Sequence, residues 1–184
     1  MGAGIALGPR LPRWWLGLTL LGTAAALGGA LPVLGGAGEW EWRSPFPVGG
    51  EPLHLRLDGL SALFLALLSV VGAAGAVYAR EYWADERYPA SAPRGRMWWS
   101  ALVLAMGGVL LSSNGLHFLI AWELFALSGY FLITLERQRR DVRAAGWLYL
   151  AASHAGTLGL FAFFATLAAR TGSWELGAMR ERAD

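Results

Sequence analysis

Three side chains of this sequence join acid–base capacity to an apolar setting. Glu123 stands in Leu119-Ile120-Ala121-Trp122-Glu123-Leu124, and His154 in Ala151-Ala152-Ser153-His154-Ala155-Gly156-Thr157. Burial in hydrocarbon disfavours the charged form of any carboxyl. A charge at the centre of a bilayer costs on the order of 3 kcal/mol or more on insertion scales. An acid kept in such a place points to a proton or ion relay. The alternative is a protonated carboxyl that hydrogen-bonds a neighbouring helix for stability. Histidine titrates in the physiological range, which suits proton transfer. The alternative for His154 is a neutral ring tying two helices together. Tyr130 follows Glu123 by seven positions and shares its helix face. Its hydroxyl extends a polar path from Glu123, or else it is an interfacial tyrosine near the helix end. Ser128 lies on the same segment. His117, beside the Asn114-Gly115 turn, reads as interfacial.

These residues need apolar helices to position them, and the chain is built of such segments. Of its 184 residues, 55% are apolar and 15% charged, whereas soluble domains carry about 25% charged residues. The charges fall in short clusters with long uncharged runs between them. Five runs are long enough to span a bilayer: about 14–35, 57–78, 97–111, 116–135 and 144–169. Arg10 and Arg13 precede the first, as in a signal peptide. A signal core is about 7–15 residues, and this run is about 22, which favours a retained helix. Residues 36–56 are polar, and Leu53-His54-Leu55-Arg56-Leu57 alternates like a half-exposed strand. A short hairpin at the membrane surface is expected there. Asp58 reads as the cap of the second span. Residues 80–96 read as a loop with four arginines, and Trp98-Trp99 as an interfacial anchor. The pairs Gly72/Gly75, Gly107/Gly108 and Gly156/Gly159 read as close helix contacts. The fold class is therefore an all-α integral membrane protein of about five transmembrane helices, with a short external hairpin between the first and second. Residues 1–184 form a single helical region.

Arginine distribution sets the expected orientation. Arg10, Arg13, Arg80, Arg87, Arg94, Arg96, Arg137, Arg139, Arg140 and Arg143 fall on one side, and Arg43, Arg56, Arg170, Arg180 and Arg182 on the other. The richer side is expected to be cytoplasmic, with the N-terminus there and the hairpin and C-terminal tail outside. The chain has no cysteine, which excludes disulfides, thiolate metal sites and iron–sulfur ligation by this chain. A net charge of +2 is too small to argue for nucleic-acid binding. No phosphate-binding glycine loop, His-Glu-x-x-His or nucleophile elbow occurs, so no metal or cofactor site and no soluble catalytic centre is expected.

Three stretches together resemble the antiporter-like membrane subunits of complex I and related hydrogenases. The first is Leu55-Arg56-Leu57-Asp58-Gly59-Leu60-Ser61-Ala62, leading to Tyr78-Ala79-Arg80-Glu81-Tyr82. The second is Asn114-Gly115, then Trp122-Glu123-Leu124 and Ser128-Gly129-Tyr130. The third is Ala145-Gly146-Trp147-Leu148-Tyr149-Leu150, then Ser153-His154-Ala155-Gly156-Thr157. The third looks most like hydrogenase-4 component B and the matching formate hydrogenlyase subunit. The resemblance implies that Glu123 belongs to a proton path and partners a lysine on a broken helix two helices later. It gives His154 a weaker role of the same kind. Family members carry about fourteen helices with inverted repeats, so the sequence looks like their N-terminal portion, without the family's first helix. It holds no lysine anywhere, so the partner lysine would lie beyond Asp184.

The expected function is thus an N-terminal portion of a proton-translocating membrane subunit of a hydrogenase-4 or NADH-quinone oxidoreductase-like complex. It would couple redox energy held in partner subunits to proton movement through Glu123, His154 and Tyr130. Its partners would be other membrane and peripheral subunits and the bilayer of a bacterial or archaeal plasma membrane. The competing reading is a non-transporting scaffold or assembly piece from a split or truncated gene, with Glu123 and His154 as interhelical ties.

Overall fold

Pro12 opens the first helix at a position where its missing N–H costs nothing. From there the chain forms α1 (Pro12–Leu34), β1 (Trp40–Val48), β2 (Glu51–Leu57), α2 (Gly59–Tyr82), α3 (Ala92–Leu111), α4 (Gly115–Ile133) and α5 (Arg140–Thr171). This is a computed structural model, which describes Gly2 and residues 11–177. Arg10, Arg180 and Arg182, which contribute to the charge bias, lie outside the described residues.

Four of the helices, α1, α2, α4 and α5, are long and apolar enough to cross a membrane. The expected third span is different. Helix α3 starts at Ala92, with Pro93 in its first turn, and so includes Arg94 and Arg96. The loop before it is shorter than expected, because α2 also runs on to Tyr82. Arg96 is buried, with Nη2 donating to Asp85 Oδ1 at 2.8 Å. That carboxylate lets a charged residue enter the helix. Helix α5 starts four residues before its expected span and has 32 residues. At 1.5 Å per residue it is about 48 Å long, well beyond the roughly 30 Å of bilayer hydrocarbon. Its first turns, with Arg140 and Arg143, therefore extend past the apolar layer.

The helix starts are locally encoded. Asp58 Oδ1 accepts from Ser61 N at 2.8 Å and caps α2 as expected. Asn114 Oδ1 accepts from Leu116 N at 2.9 Å and caps α4. The hairpin is also present. Its two strands are antiparallel and turn at Gly49-Gly50, both at positive φ, which glycine tolerates and a two-residue hairpin turn requires.

Packing is between thin elements with small residues at the crossings. Helices α1 and α2 form one pair and α3 and α4 another, and α5 lies along α4. Trp15 Nε1 donates to Ser100 Oγ at 2.8 Å and ties α1 to α3. Trp98 stacks on Phe131 with ring centroids 4.1 Å apart. The glycine expectations divide. A methyl on Gly75 would come within 2.2 Å of Trp99, one on Gly72 within 3.2 Å of Val103, and one on Gly108 within 3.2 Å of Ala121. Gly107, Gly156 and Gly159, expected as helix contacts, face open space instead. For the last two the reason is that α5 packs mainly on α4. Leu148, Leu158 and Phe163 are more than half exposed on it, a surface suited to lipid or further helices rather than water.

The hairpin, the turn at Ser112–Asn114 and the segment after α5 meet at one end of the bundle. Ser113 N donates to His54 O at 3.0 Å, and Gly115 N donates to Trp174 O at 2.8 Å. The expected topology also puts hairpin and tail on one side. The α2–α3 loop, with Arg87, and the α4–α5 turn, with Arg137, lie at the other helix ends.

Candidate functional site

Helix α4 carries Glu123 and α5 carries His154, and the crossing of the two helices brings the side chains together. His154 Nε2 lies 3.7 Å from Glu123 Oε2. That is longer than a hydrogen bond, so the pair is in ionic contact without being locked. Nothing in the spacing of two separate segments fixed this meeting. It depends on the register of α5 against α4. That register is set by Tyr149, whose hydroxyl fills the space over Gly129, and by Thr134 and Tyr130, which close over Gly146. A second contact, the Phe164 ring over Gly115, fixes the other end of the crossing.

The imidazole is held in a definite tautomer. His154 Nδ1 lies 3.0 Å from the Leu150 carbonyl, one turn back on α5. A carbonyl can only accept, so Nδ1 carries a hydrogen and donates. In the neutral ring, Nε2 is then a bare acceptor facing the Glu123 carboxyl. One proton suits the pair in two ways: carboxylic acid beside neutral imidazole, or carboxylate beside imidazolium. Both states have zero net charge, which a low-dielectric site tolerates better than an isolated ion. The other carboxyl oxygen, Oε1, is buried and has no hydrogen-bond partner among the described residues. It leaves one acceptor free for a further donor.

His154 is 49% exposed at its side chain and Glu123 31%. Elsewhere on α5, Gly156 and Gly159 face free space. Thr157 is on the same stretch but donates to its own helix, to Ser153 O at 3.1 Å. Ser128 likewise donates to Leu124 O, at 2.6 Å. Tyr130 lies two turns from Glu123, about 10 Å along the axis. No hydrogen bond joins it to Glu123 or His154 among the described residues, and its ring packs over Gly146. A hollow of about 1200 Å³ between the two helix pairs is lined by residues such as Val33, Leu68, Val103 and Phe131. Neither Glu123 nor His154 lines it.

Sequence reasoning missed a second polar assembly, at the hairpin end. The alternation in Leu53–Leu57 expects His54 on the exposed face, but it is 4% exposed. Glu41 on β1 and Glu175 after α5 close over it. His117, expected at the interface, is also buried, with Nε2 donating to Val48 O at 3.0 Å. The only sequence signal was a histidine inside an apolar alternating strand.

The architecture defines a multi-pass helical membrane protein with a β-hairpin at one end. No protein-family model matches the sequence. The chain is similar to the A/B component of a probable K(+)/H(+) antiporter from Rhizobium meliloti, 29% identical over 172 residues, 93% of this chain and 17% of that protein. It is similar to hydrogenase-4 component B of Escherichia coli, 25% identical over 70% of this chain and 19% of the relative. It is also 30% identical to the putative antiporter component mnhA2 of Staphylococcus aureus, over 72% of this chain and 16% of the relative. Among solved structures, a chain of the archaeal membrane-bound sulfane sulfur reductase, a respiratory membrane complex, superposes with a TM-score of 0.71. That match covers 94% of this chain and 28% of the other at 20% identity, and so concerns the fold alone. The homologues of this chain are thus antiporter-like membrane subunits, and it spans less than a fifth of the length of the curated relatives it matches.

Proposed function

We propose that this sequence forms the Glu123-bearing portion of a proton-translocating membrane subunit in a hydrogenase-4 or NADH-quinone oxidoreductase-like complex. Redox energy released in partner subunits drives proton movement, and the step made here is proton exchange between Glu123 and His154. The observation that carries the reading is the contact of a carboxyl and an imidazole, 3.7 Å apart, between two long apolar helices. With Nδ1 committed to Leu150, a small side-chain shift that closes the 3.7 Å gap to hydrogen-bond distance lets proton transfer convert Glu–COOH and neutral imidazole into Glu–COO⁻ and imidazolium, and the reverse step restores both. Tyr130 extends the path toward the arginine-rich end only if an added polar group bridges the two turns between them.

In this reading the arginine-rich end faces the cytoplasm of a bacterial or archaeal cell, the N-terminus lies there, and the hairpin faces outward. The test uses the complete complex. Glu123→Gln keeps a hydrogen-bonding side chain but cannot exchange a proton. Proton translocation per electron transferred is then measured in sealed vesicles. The expected result is loss of translocation with electron transfer retained. Unchanged translocation would sink the relay. A lower yield of assembled complex with normal translocation per electron would establish the scaffold reading instead, in which the pair only ties α4 to α5.

A further inference from the structure

We infer that the hairpin and the segment after α5 are joined by a proton-operated clasp centred on His54. The ring of His54 is buried, and each of its nitrogens meets a carboxylate. Nδ1 contacts Glu175 Oε2, and Nε2 lies 2.8 Å from Glu41 Oε1, although not in line for a good hydrogen bond. A neutral imidazole has one N–H and one lone pair. It can donate to one of these carboxylates but must turn its lone pair on the other. The imidazolium donates from Nδ1 to Glu175 and turns a positive N–H edge, not a lone pair, toward Glu41. The arrangement is therefore built for the protonated ring.

The surrounding groups fit the same conclusion. Arg43 on β1 lies 3.3 Å from Glu41 and 3.7 Å from Glu175, so two cations face two carboxylates when His54 is charged. Glu51 on β2 and Glu175 both lie 3.4 Å from Asn114 Nδ2 at the start of α4. His117 on α4 is turned to the Val48 carbonyl. The Arg43 side chain holds the Glu41 carboxyl below its usual range, so Glu41 keeps its charge in mildly acidic solution. Loss of the His54 proton leaves two carboxylates opposed by Arg43 alone, and one of them faces a buried lone pair.

The sign follows from linkage. The closed clasp holds one proton more than an open one with a neutral ring, so acid favours closure. The ratio of closed to open changes by at most about tenfold per pH unit for a single proton. The hairpin and tail lie at the end that the proposed topology turns outward. On that reading the clasp closes as translocated protons accumulate there. This last meaning rests on the proposed function; the clasp does not.

The test is a distance measurement in the full chain in lipid nanodiscs. The sequence has no cysteine, so Phe46→Cys on β1 and Gly177→Cys in the tail can carry a pair of spin labels. At about pH 5 the distance distribution should be narrow, and at about pH 8 it should gain a longer component. His54→Gln should abolish the pH response, and His154→Gln should leave it intact. Glu175→Gln removes the tail carboxylate without touching the hairpin, and should show the longer component at both pH values. An identical distribution at both pH values in the parent pair overturns the inference. So does an undiminished pH response in His54→Gln or Glu175→Gln. No proton pumping is needed for this readout, so it succeeds or fails separately from the Glu123→Gln test.

Discussion

Among the described residues, two histidines meet carboxylates, in sites of opposite character. His154 meets one carboxyl oxygen at 3.7 Å, half open on the flank of the bundle. His54 is buried at the bundle end between two carboxylates, with Arg43 beside them. The first is loose, and Leu150 occupies one ring nitrogen so that the other is left to exchange. The second is enclosed, with Nδ1 hydrogen-bonded to Glu175 and Nε2 facing Glu41. A proton-exchange site needs a group whose two protonation states are both tolerated, whereas a structural tie gains from favouring one. The same residue type serves either purpose, and its neighbours decide which.

The comparison breaks most sharply at Glu123. Glu123→Gln should lower proton translocation per electron by on the order of tenfold or more, as expected when an obligatory proton-transfer group is lost. His154→Gln should lower it less, since the carboxyl keeps its free oxygen. Equal losses would mean the two residues act as one unit. Packing gives the next largest effect. Gly75→Ala should destabilise the chain by about 1–3 kcal/mol, because a methyl there meets Trp99. Denaturation in mixed micelles measures it. Gly156→Ala, on an open flank of α5, should stabilise the isolated chain by about 0.5–1 kcal/mol through helix propensity. The same substitution measured in the complete complex sharpens the picture. A loss of assembly there would show that further helices cover this flank. An effect of similar size and opposite sign is expected at Asp58. Its replacement by alanine should cost about 1 kcal/mol by removing the cap of α2, without altering either histidine site.

Much of the architecture was legible because its causes are local. Asp58 announces a helix start and Asn114-Gly115 a turn, through side-chain geometry within a few residues. The hairpin is marked by the alternation at Leu53–Leu57 and the Gly49-Gly50 turn. Glu123 stands out because a single carboxyl in an apolar run is costly wherever it is kept. Hydropathy places the start of α3 too late, since Arg94 and Arg96 have the character of loop charges. Only the fold supplies the Asp85 carboxylate that lets Arg96 be buried.

What the sequence by itself determined is the set of apolar helices, their caps, the hairpin and the presence of an acid and a histidine within spans. Hydropathy and capping are sums over neighbouring residues, so they can be read without a structure. What the tertiary structure alone decided is which groups meet. Glu123 and His154 are brought together by the crossing of α4 and α5, which glycine-sized gaps under Tyr149 and Thr134 set. His54 is buried because Glu175, 121 residues later, folds back over it. Long-range contacts of this kind depend on register and crossing angle, and periodicity carries neither.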